Sequence, residues 1–229
     1  MPGDNARDTA AKRDHRTEVA ARKRALMRAR LMDAAMKVFA TAGSRMPVIE
    51  DIVREAGVSR GTFYQHFMSL DEVLHALSLS QSDQMTRDIL PIYDPLKEPW
   101  QRFSVGFRLF LKRAAADPIW ASFVTRSSSA VNDKLLVRDY MQEDLRRGLA
   151  TGQFNFERLD EAVDFMMGAS IAGIGALGRG VEDPEGYMDA SVRMALVGLR
   201  CASKQVERAV TFSRDYLSNW PPRKPEGRP

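Results

Sequence analysis

Between Pro47 and Phe67 two short runs of apolar residues at helical spacing are separated by only four residues, Ala56-Gly57-Val58-Ser59. No other feature limits the fold of this chain so strongly. Ile49, Ile52, Val53 and Ala56 mark one face of a helix of about three turns that Gly57 can end. Pro47 can take its first position, where a missing N–H costs nothing. Ser59 suits the N-cap of a third helix running to Phe67. Upstream, Leu31, Ala35, Val38, Phe39 and Ala42 place a first helix over Leu26 to Ala42, with Gly43 as its stop.

Downstream the helical pattern continues. Ser69-Leu70-Asp71-Glu72 reads as a capping box, with Met68 and Val73 as its hydrophobic staple, and opens a fourth helix near Leu70 that should end before Pro91. Phe103, Phe107, Phe110 and Leu111 form a stripe broad enough to be buried. Asp117-Pro118 restarts the chain into Ile119, Trp120, Phe123 and Val124. A helix from about Val131 to Ala150, with Gly152 near its end, and one from Leu159 to Leu177 follow. Asp183-Pro184-Glu185 combines an N-cap, a proline at N1 and a first-turn acid, opening a last long helix through Met194, Val197 and Cys201. No alternating β-branched run and no internal repeat occur, so the expected class is all-α. The organisation expected is a basic, disordered arm over 1–22, a helix-turn-helix domain over 23–69, a helical domain over 70–218 and a proline-rich tail over 219–229.

Charge is unevenly spread. The first 70 residues hold 13 Lys and Arg against 8 Asp and Glu, a net +5, and the remainder holds 21 against 22, a net −1. Lys12, Arg13, Arg16, Arg22, Lys23, Arg24, Arg28 and Arg30 account for most of the excess, and such a run attracts a polyanion. With 44% hydrophobic and 28% charged residues a packed core is expected. One cysteine, Cys201, excludes an internal disulfide and a thiolate metal cluster. The most apolar stretch, Phe165 to Leu177, is 13 residues, whereas a membrane span needs about 20. The N-terminus lacks the apolar segment of a secretory signal. A cytoplasmic protein without metal, cofactor or membrane partner is expected.

Three short helices joined by tight turns describe a helix-turn-helix unit that reads double-stranded DNA. At roughly 100° per residue, Phe63 and Phe67 share the inward face of helix three, Gly61, Thr62 and Gln65 lie opposite, and Tyr64 and His66 flank the outward face. Arg60 stands at the N-terminal tip, where such helices touch base edges, and Gly61 permits close approach. Arg60, Thr62 and Gln65 are therefore candidate base readers, and Tyr64 and His66 candidate phosphate contacts.

The run Ala56-Gly57-Val58-Ser59-Arg60-Gly61-Thr62-Phe63-Tyr64-Gln65-His66-Phe67, preceded by Asp51-Ile52-Val53 and followed by Ser69-Leu70-Asp71-Glu72-Val73-Leu74, closely resembles the tetracycline-repressor-like (TetR) family over about Leu26 to Leu77. Arg147-Gly148 with Gly152-Gln153-Phe154 resembles that family's variable C-terminal domain. The resemblance implies a homodimeric repressor that binds a palindromic operator and is released by a small-molecule effector. Leu70 stands where the family often has Lys, and Met46-Pro47-Val48 where it often has a capping Thr, so Arg45 and the basic arm are the candidates to replace those contacts.

Phe103, Phe107, Phe110, Trp120, Phe123, Met141, Phe165 and Met166 are candidates for an apolar effector cavity as well as for ordinary core. Gly168, Ala172 and Ala176 recur every fourth residue and, with Met194, Val197 and Cys201, are candidates for a dimer interface. Gly173, Gly175 and Gly178 spell a literal G-x-G-x-x-G, which signals a dinucleotide only between a strand and a helix. A nicotinamide-dependent enzyme is thus the remote alternative, and a constitutive or architectural DNA-binding protein the nearer one. His15, His66 and His75 fall in no recognised catalytic arrangement, and no catalytic residue is assigned.

Overall fold

Helix α1 spans Asp4–Thr41 and is far longer than its apolar pattern predicts. The computed structural model describes residues 4–42, 45, 47–127 and 135–218, with side chains from residue 17 onward except that of Ala40. The arm expected to be disordered is therefore helical from Asp4. Apolar periodicity marks only the packed segment around Leu31, Ala35 and Phe39. From Ala6 to Arg24 the chain is rich in Ala and Arg and free of Gly and Pro, so a helix nucleated by packing propagates cheaply through it. The expected stop at Gly43 lies outside the described residues.

Every regular element among the described residues is a helix, and the chain divides into two compact units, residues 1–77 and 78–229. In the first unit α1 is followed by α2 (Ile49–Ala56), α3 (Arg60–Tyr64) and the start of α4 (Leu70–Tyr93). Leu31, Phe39, Ile52, Phe63, Phe67 and Leu77 are buried together as its core. Pro47 is buried two residues ahead of α2, whose N-cap is Val48, because Asp51 Oδ2 accepts the Val48 N–H at 3.2 Å and sets the start there. Gly57 ends α2 at φ +61°, and a Cβ there would also crowd Arg30. Ser59 caps α3 as expected, accepting from the Thr62 N–H at 3.0 Å.

Helix α3 is shorter than its pattern. It stops at Tyr64, and the N–H groups of His66 and Phe67 both turn back to the Phe63 carbonyl, at 2.9 and 3.0 Å, which carries Phe67 into the core. Glu72 donates its N–H to Ser69 Oγ at 3.2 Å, but its carboxylate accepts from Met68 N–H at 2.7 Å rather than from Ser69. Met68 is 85% exposed, so the expected staple with Val73 does not form. Pro91 does not end α4. It lies in the last turn, where its missing N–H removes a single hydrogen bond and Asp94 N–H still reaches the Leu90 carbonyl at 2.8 Å.

The second unit comprises the rest of α4, α5 (Pro99–Ala116), α6 (Pro118–Ser127), α7 (Leu136–Ala150), α8 (Leu159–Gly178), α9 (Pro184–Gly198) and α10 (Ser203–Leu217). The expected start of α7 at Val131 and the proline-rich tail from residue 219 lie outside the described residues. Helix α5 is central and packs against α6, α7, α8, α9 and α10, which is why its buried set extends beyond the Phe103 stripe to Trp100, Val105 and Leu109. The fully buried Arg108 ties three helices together: its Nε donates to Ser213 Oγ at 3.0 Å, its Nη1 to Glu185 at 3.2 Å, and its Nη2 to Asp189. One expected long helix from Pro184 is in fact two. Gly198 ends α9, Arg200 takes φ +53°, and the Leu199 carbonyl accepts the Asn155 N–H at 2.9 Å instead of continuing the helix. No helix among the described residues is long and apolar enough to cross a membrane.

Candidate nucleic-acid interface and interior cavity

In the first unit the short helix α3 sorts its residues by face. Phe63 is buried, while Arg60, Gly61, Tyr64 and Gln65 are exposed and Thr62 is half-buried. The Tyr64 ring stands edge-on to Phe63, 5.5 Å between centroids, so the aromatic is anchored inside and presents its hydroxyl outward. Arg60 Nη2 donates to that hydroxyl at 3.3 Å and Arg60 Nη1 to Glu50 Oε1 at 2.6 Å. Both partners hold the Arg60 guanidinium above its usual pKa, the Tyr64 hydrogen bond first. An exposed ion pair of this kind adds little net stability because solvent screens it, so Arg60 can leave Glu50 cheaply for a stronger acceptor. Thr62 Oγ1 lies 2.9 Å from Ser59 Oγ and is occupied by the cap.

Gln65 and His66 follow the last residue of α3 rather than lying within it. The turn that holds them is clamped from α1: Arg28 Nη1 donates to the His66 carbonyl at 2.6 Å, and its guanidinium lies 4.0 Å over the Phe67 ring. Arg28, part of the basic run, is thus a positioning residue that the sequence pattern did not single out. Arg45 is exposed, yet it donates to Asp51 Oδ2 at 2.7 Å. The Val48 N–H and then Arg45 hold the Asp51 carboxyl below the usual range. Arg22, Lys23, Arg24 and Arg30 are exposed along α1, and the side chains of Lys12, Arg13 and Arg16 lie outside the described set.

In the second unit a cavity of about 110 Å³ opens among α4 to α8. Phe103, Phe107, Phe110, Trp120, Phe123 and Met141 meet in its wall. Phe103 and Phe107 are stacked at 5.7 Å, and Phe110 and Trp120 stand 6.4 Å apart. Phe165 and Met166 do not reach it. Phe165 is 67% exposed on the other side of α8, and Met166 is packed in the core beside α9, with its Cε 3.5 Å from where a Cβ on Gly198 would lie. Their place in the apolar run of α8 could not separate the two faces of that helix.

Sequence reasoning missed the polar part of the wall, Ser78, Thr86, Arg102 and Asp144. Arg102 Nε donates to Asp144 Oδ1 at 2.6 Å, and its Nη1 reaches the carbonyls of Leu96 and Tyr93 at 3.3 and 3.4 Å. Burial pushes the Asp144 carboxyl up to about 7, against the pull of Arg147, and pushes the Arg102 guanidinium down. A signal was present: Met141, Asp144, Leu145 and Gly148 fall at i, i+3, i+4 and i+7, so an acid sits on an apolar face.

The small residues of α8 serve two different surfaces. Gly173 and Gly178 face inward, where a Cβ would stand 2.7 Å from Leu111 Cδ2 and 2.4 Å from Ala121 Cβ. The G-x-G-x-x-G run is therefore a close-packing face inside a helix, without the strand and turn that a dinucleotide needs. Gly168 and Ala172 are exposed, and beside them stand Phe165 and, on α9, Met194 at 67% and Val197 at 59% exposure. Cys201 is not part of this face. It is buried in the core, and burial pushes its thiol up.

A family model described as bacterial regulatory proteins, tetR family, matches residues 31–77, and one described as tetracyclin repressor-like, C-terminal domain, matches residues 98–207. The HTH-type transcriptional regulator AlkX of Mycobacterium tuberculosis is 30% identical over 103 residues, 44% of this chain and 49% of that protein. The HTH-type transcriptional regulator SrpR of Pseudomonas putida is 39% identical over 64 residues, 28% of this chain and 30% of that protein. The chain thus spans about half the length, or less, of these curated relatives. The crystal structure of RolR in complex with resorcinol superimposes with a TM-score of 0.63 at 24% identity, covering 84% of this chain and 95% of that one. A gamma-butyrolactone receptor, described as ArpA-like, gives 0.52 at 15% identity over 86% of this chain and 98% of its own. At such identities the likeness speaks for the fold.

Proposed function

The chain belongs to the tetR family of bacterial regulatory proteins, and on that premise we propose that it is a transcriptional repressor that binds a palindromic operator as a homodimer and is released by a small, largely apolar effector. The observation that carries the reading is the two-faced α3: Phe63 is buried while Arg60, Gly61, Tyr64 and the C-cap Gln65 are exposed, the arrangement a helix needs to enter a major groove. Arg60 reads guanine from the helix tip, Gly61 allows approach, Gln65 reads a base from the turn after α3, and Tyr64 and His66 meet the phosphate wall. Thr62 and Arg45 contribute after yielding the contacts to Ser59 and Asp51 that they now make.

Support for an effector comes from the cavity. RolR was crystallised with resorcinol, a single-ring compound, and the cavity of about 110 Å³ in this chain approaches the roughly 150 Å³ that accepts one ring. Helix α4 buries Val73, Leu74 and Leu77 in the first unit and lends Thr86, Ile89 and Tyr93 to the cavity wall. A ligand that fits the wall in only one setting of α4 shifts the population of reading-head arrangements, and a ligand indifferent to that setting shifts nothing. Support for a homodimer comes from the exposed Phe165, Met194 and Val197 beside the side-chain-poor Gly168, Ala172 and Ala176, a face that lets two helices approach closely. The test is selection of duplexes from a random pool, followed by Arg60→Ala. We expect enrichment of a two-fold symmetric site, a loss of roughly 1–3 kcal/mol for the variant and relaxed preference at one base pair per half-site. Failure to enrich any duplex at low salt would overturn the reading.

A further inference from the structure

The cavity wall is mostly apolar and aromatic, and two of its buried polar atoms, Asp144 Oδ2 and Ser78 Oγ, have spare hydrogen-bonding capacity. Asp144 is 1% exposed, and its two carboxylate oxygens are treated differently by the fold. Oδ1 is taken by Arg102 Nε, whereas Oδ2 is buried without a hydrogen-bond partner among the described residues. Ser78 Oγ, on the same wall, is likewise without one. Leaving such groups unmet costs free energy, and a buried acceptor held rigidly beside a ligand-sized space is a place for a donor. Arg102 is a positioning residue here. Its Nε and Nη1 are already engaged, so it orients Asp144 and leaves one oxygen open.

Resting on the effector-cavity reading above, we infer that the cavity selects a neutral, single-ring aromatic alcohol of the phenol class, whose hydroxyl donates to Asp144 Oδ2 while its ring is held among Phe103, Phe107, Phe110 and Trp120. A cation is disfavoured, because Arg102 already balances Asp144 and a second positive charge would pay its own desolvation beside it. An anion would face the carboxylate. The volume sets one ring as the upper limit: a cavity of roughly 150 Å³ accepts benzene and this one holds about 110 Å³, so seating a single ring already requires the side chains of the wall to give slightly. Aromatic walls favour a ring over an alkyl chain through edge and face contacts.

The test is titration of the full chain with phenol, anisole and toluene at about pH 8, above the value near 7 to which burial pushes Asp144, read by calorimetry and by tryptophan fluorescence, to which Trp120 in the cavity wall contributes. The three probes share a ring and differ in offering a donor, an acceptor or neither. A hydrogen bond to a charged group predicts phenol binding about ten- to a hundredfold tighter than toluene, with anisole no better than toluene. In Asp144→Asn, checked for retained helicity, the phenol-to-toluene ratio should fall to within about threefold. Equal binding of phenol and toluene by the natural chain overturns the anchor while leaving a ligand-holding cavity. Binding of none of the three overturns the ligand class, and a parallel duplex-binding assay on the same preparation then shows separately whether the regulator reading stands.

Discussion

An alanine at Gly148 probes the packing logic of the second unit. Its Cβ would stand 2.0, 2.4 and 2.8 Å from Cδ2, Cε2 and Cγ of Phe154, where carbon atoms normally keep about 3.5–4.0 Å apart. The Phe154 ring is 1% exposed and meets Phe103 edge-on at 5.9 Å, so it has no free direction in which to retreat. The chain is held there as well. Gln153 and Phe154 both donate their N–H groups to the Gly148 carbonyl, at 2.9 and 3.0 Å, after the turn at Gly152 with φ +70°. A ring that shifts within the core costs roughly 1–3 kcal/mol, and one expelled from it roughly 3–5, whereas alanine for glycine in a helix returns about 1. A net loss of about 2 kcal/mol is expected for Gly148→Ala, or about 1 M in the urea midpoint at a slope near 2 kcal/mol/M. The decisive comparison uses Phe154→Ala, which removes the obstacle. In that background Gly148→Ala should become stabilising, by up to about 1 kcal/mol. Urea unfolding of the four proteins reads both values, and an equal cost in both backgrounds would refute the steric account.

Further outcomes follow from other parts of the molecule. The folded chain keeps a proton on Asp144 up to about pH 7, whereas the unfolded chain loses it near 4. The folded state is then the better proton binder, so this contribution to stability is full below about pH 4 and is lost as pH rises to about 7. Asp144→Asn should flatten the profile across that window, and parallel profiles for the two proteins would count against it. Replacing both Phe165 and Val197 with Glu should turn a dimer into a monomer in sedimentation equilibrium without loss of helicity, and an unchanged mass would remove this face from the interface. Neutralising Arg22, Lys23 and Arg24 to Gln should reduce the slope of log affinity against log salt by as much as about 2.7 if each meets a phosphate; an unchanged slope would place the exposed run off the DNA.

Local chemistry written in the sequence accounts for much of what was found. Gly57 and Ser59 enforce the turn between α2 and α3 wherever the rest of the chain lies, and Asp183 caps α9 through the Gly186 N–H at 2.9 Å as its position before Pro184 predicts. Periodicity likewise separated Phe63 from Tyr64, because a fixed angle per residue decides which side chain faces inward. Where two helix faces are both apolar, periodicity says nothing about which neighbour each one meets. Phe165 and Phe107 look alike in the sequence, and only the approach of α8 to α5 through Gly173 turns one outward while the other lines the cavity. The same holds for the polar core. Arg102 and Asp144 are 42 residues apart, and their pairing exists only after α5 and α7 pack, since an ion pair is a property of a distance in space that no local rule encodes. Helix length was misjudged for a related reason: burial marks the packed part of α1 and α3, whereas their ends are decided by propagation in one case and by the pull of Phe67 into the core in the other.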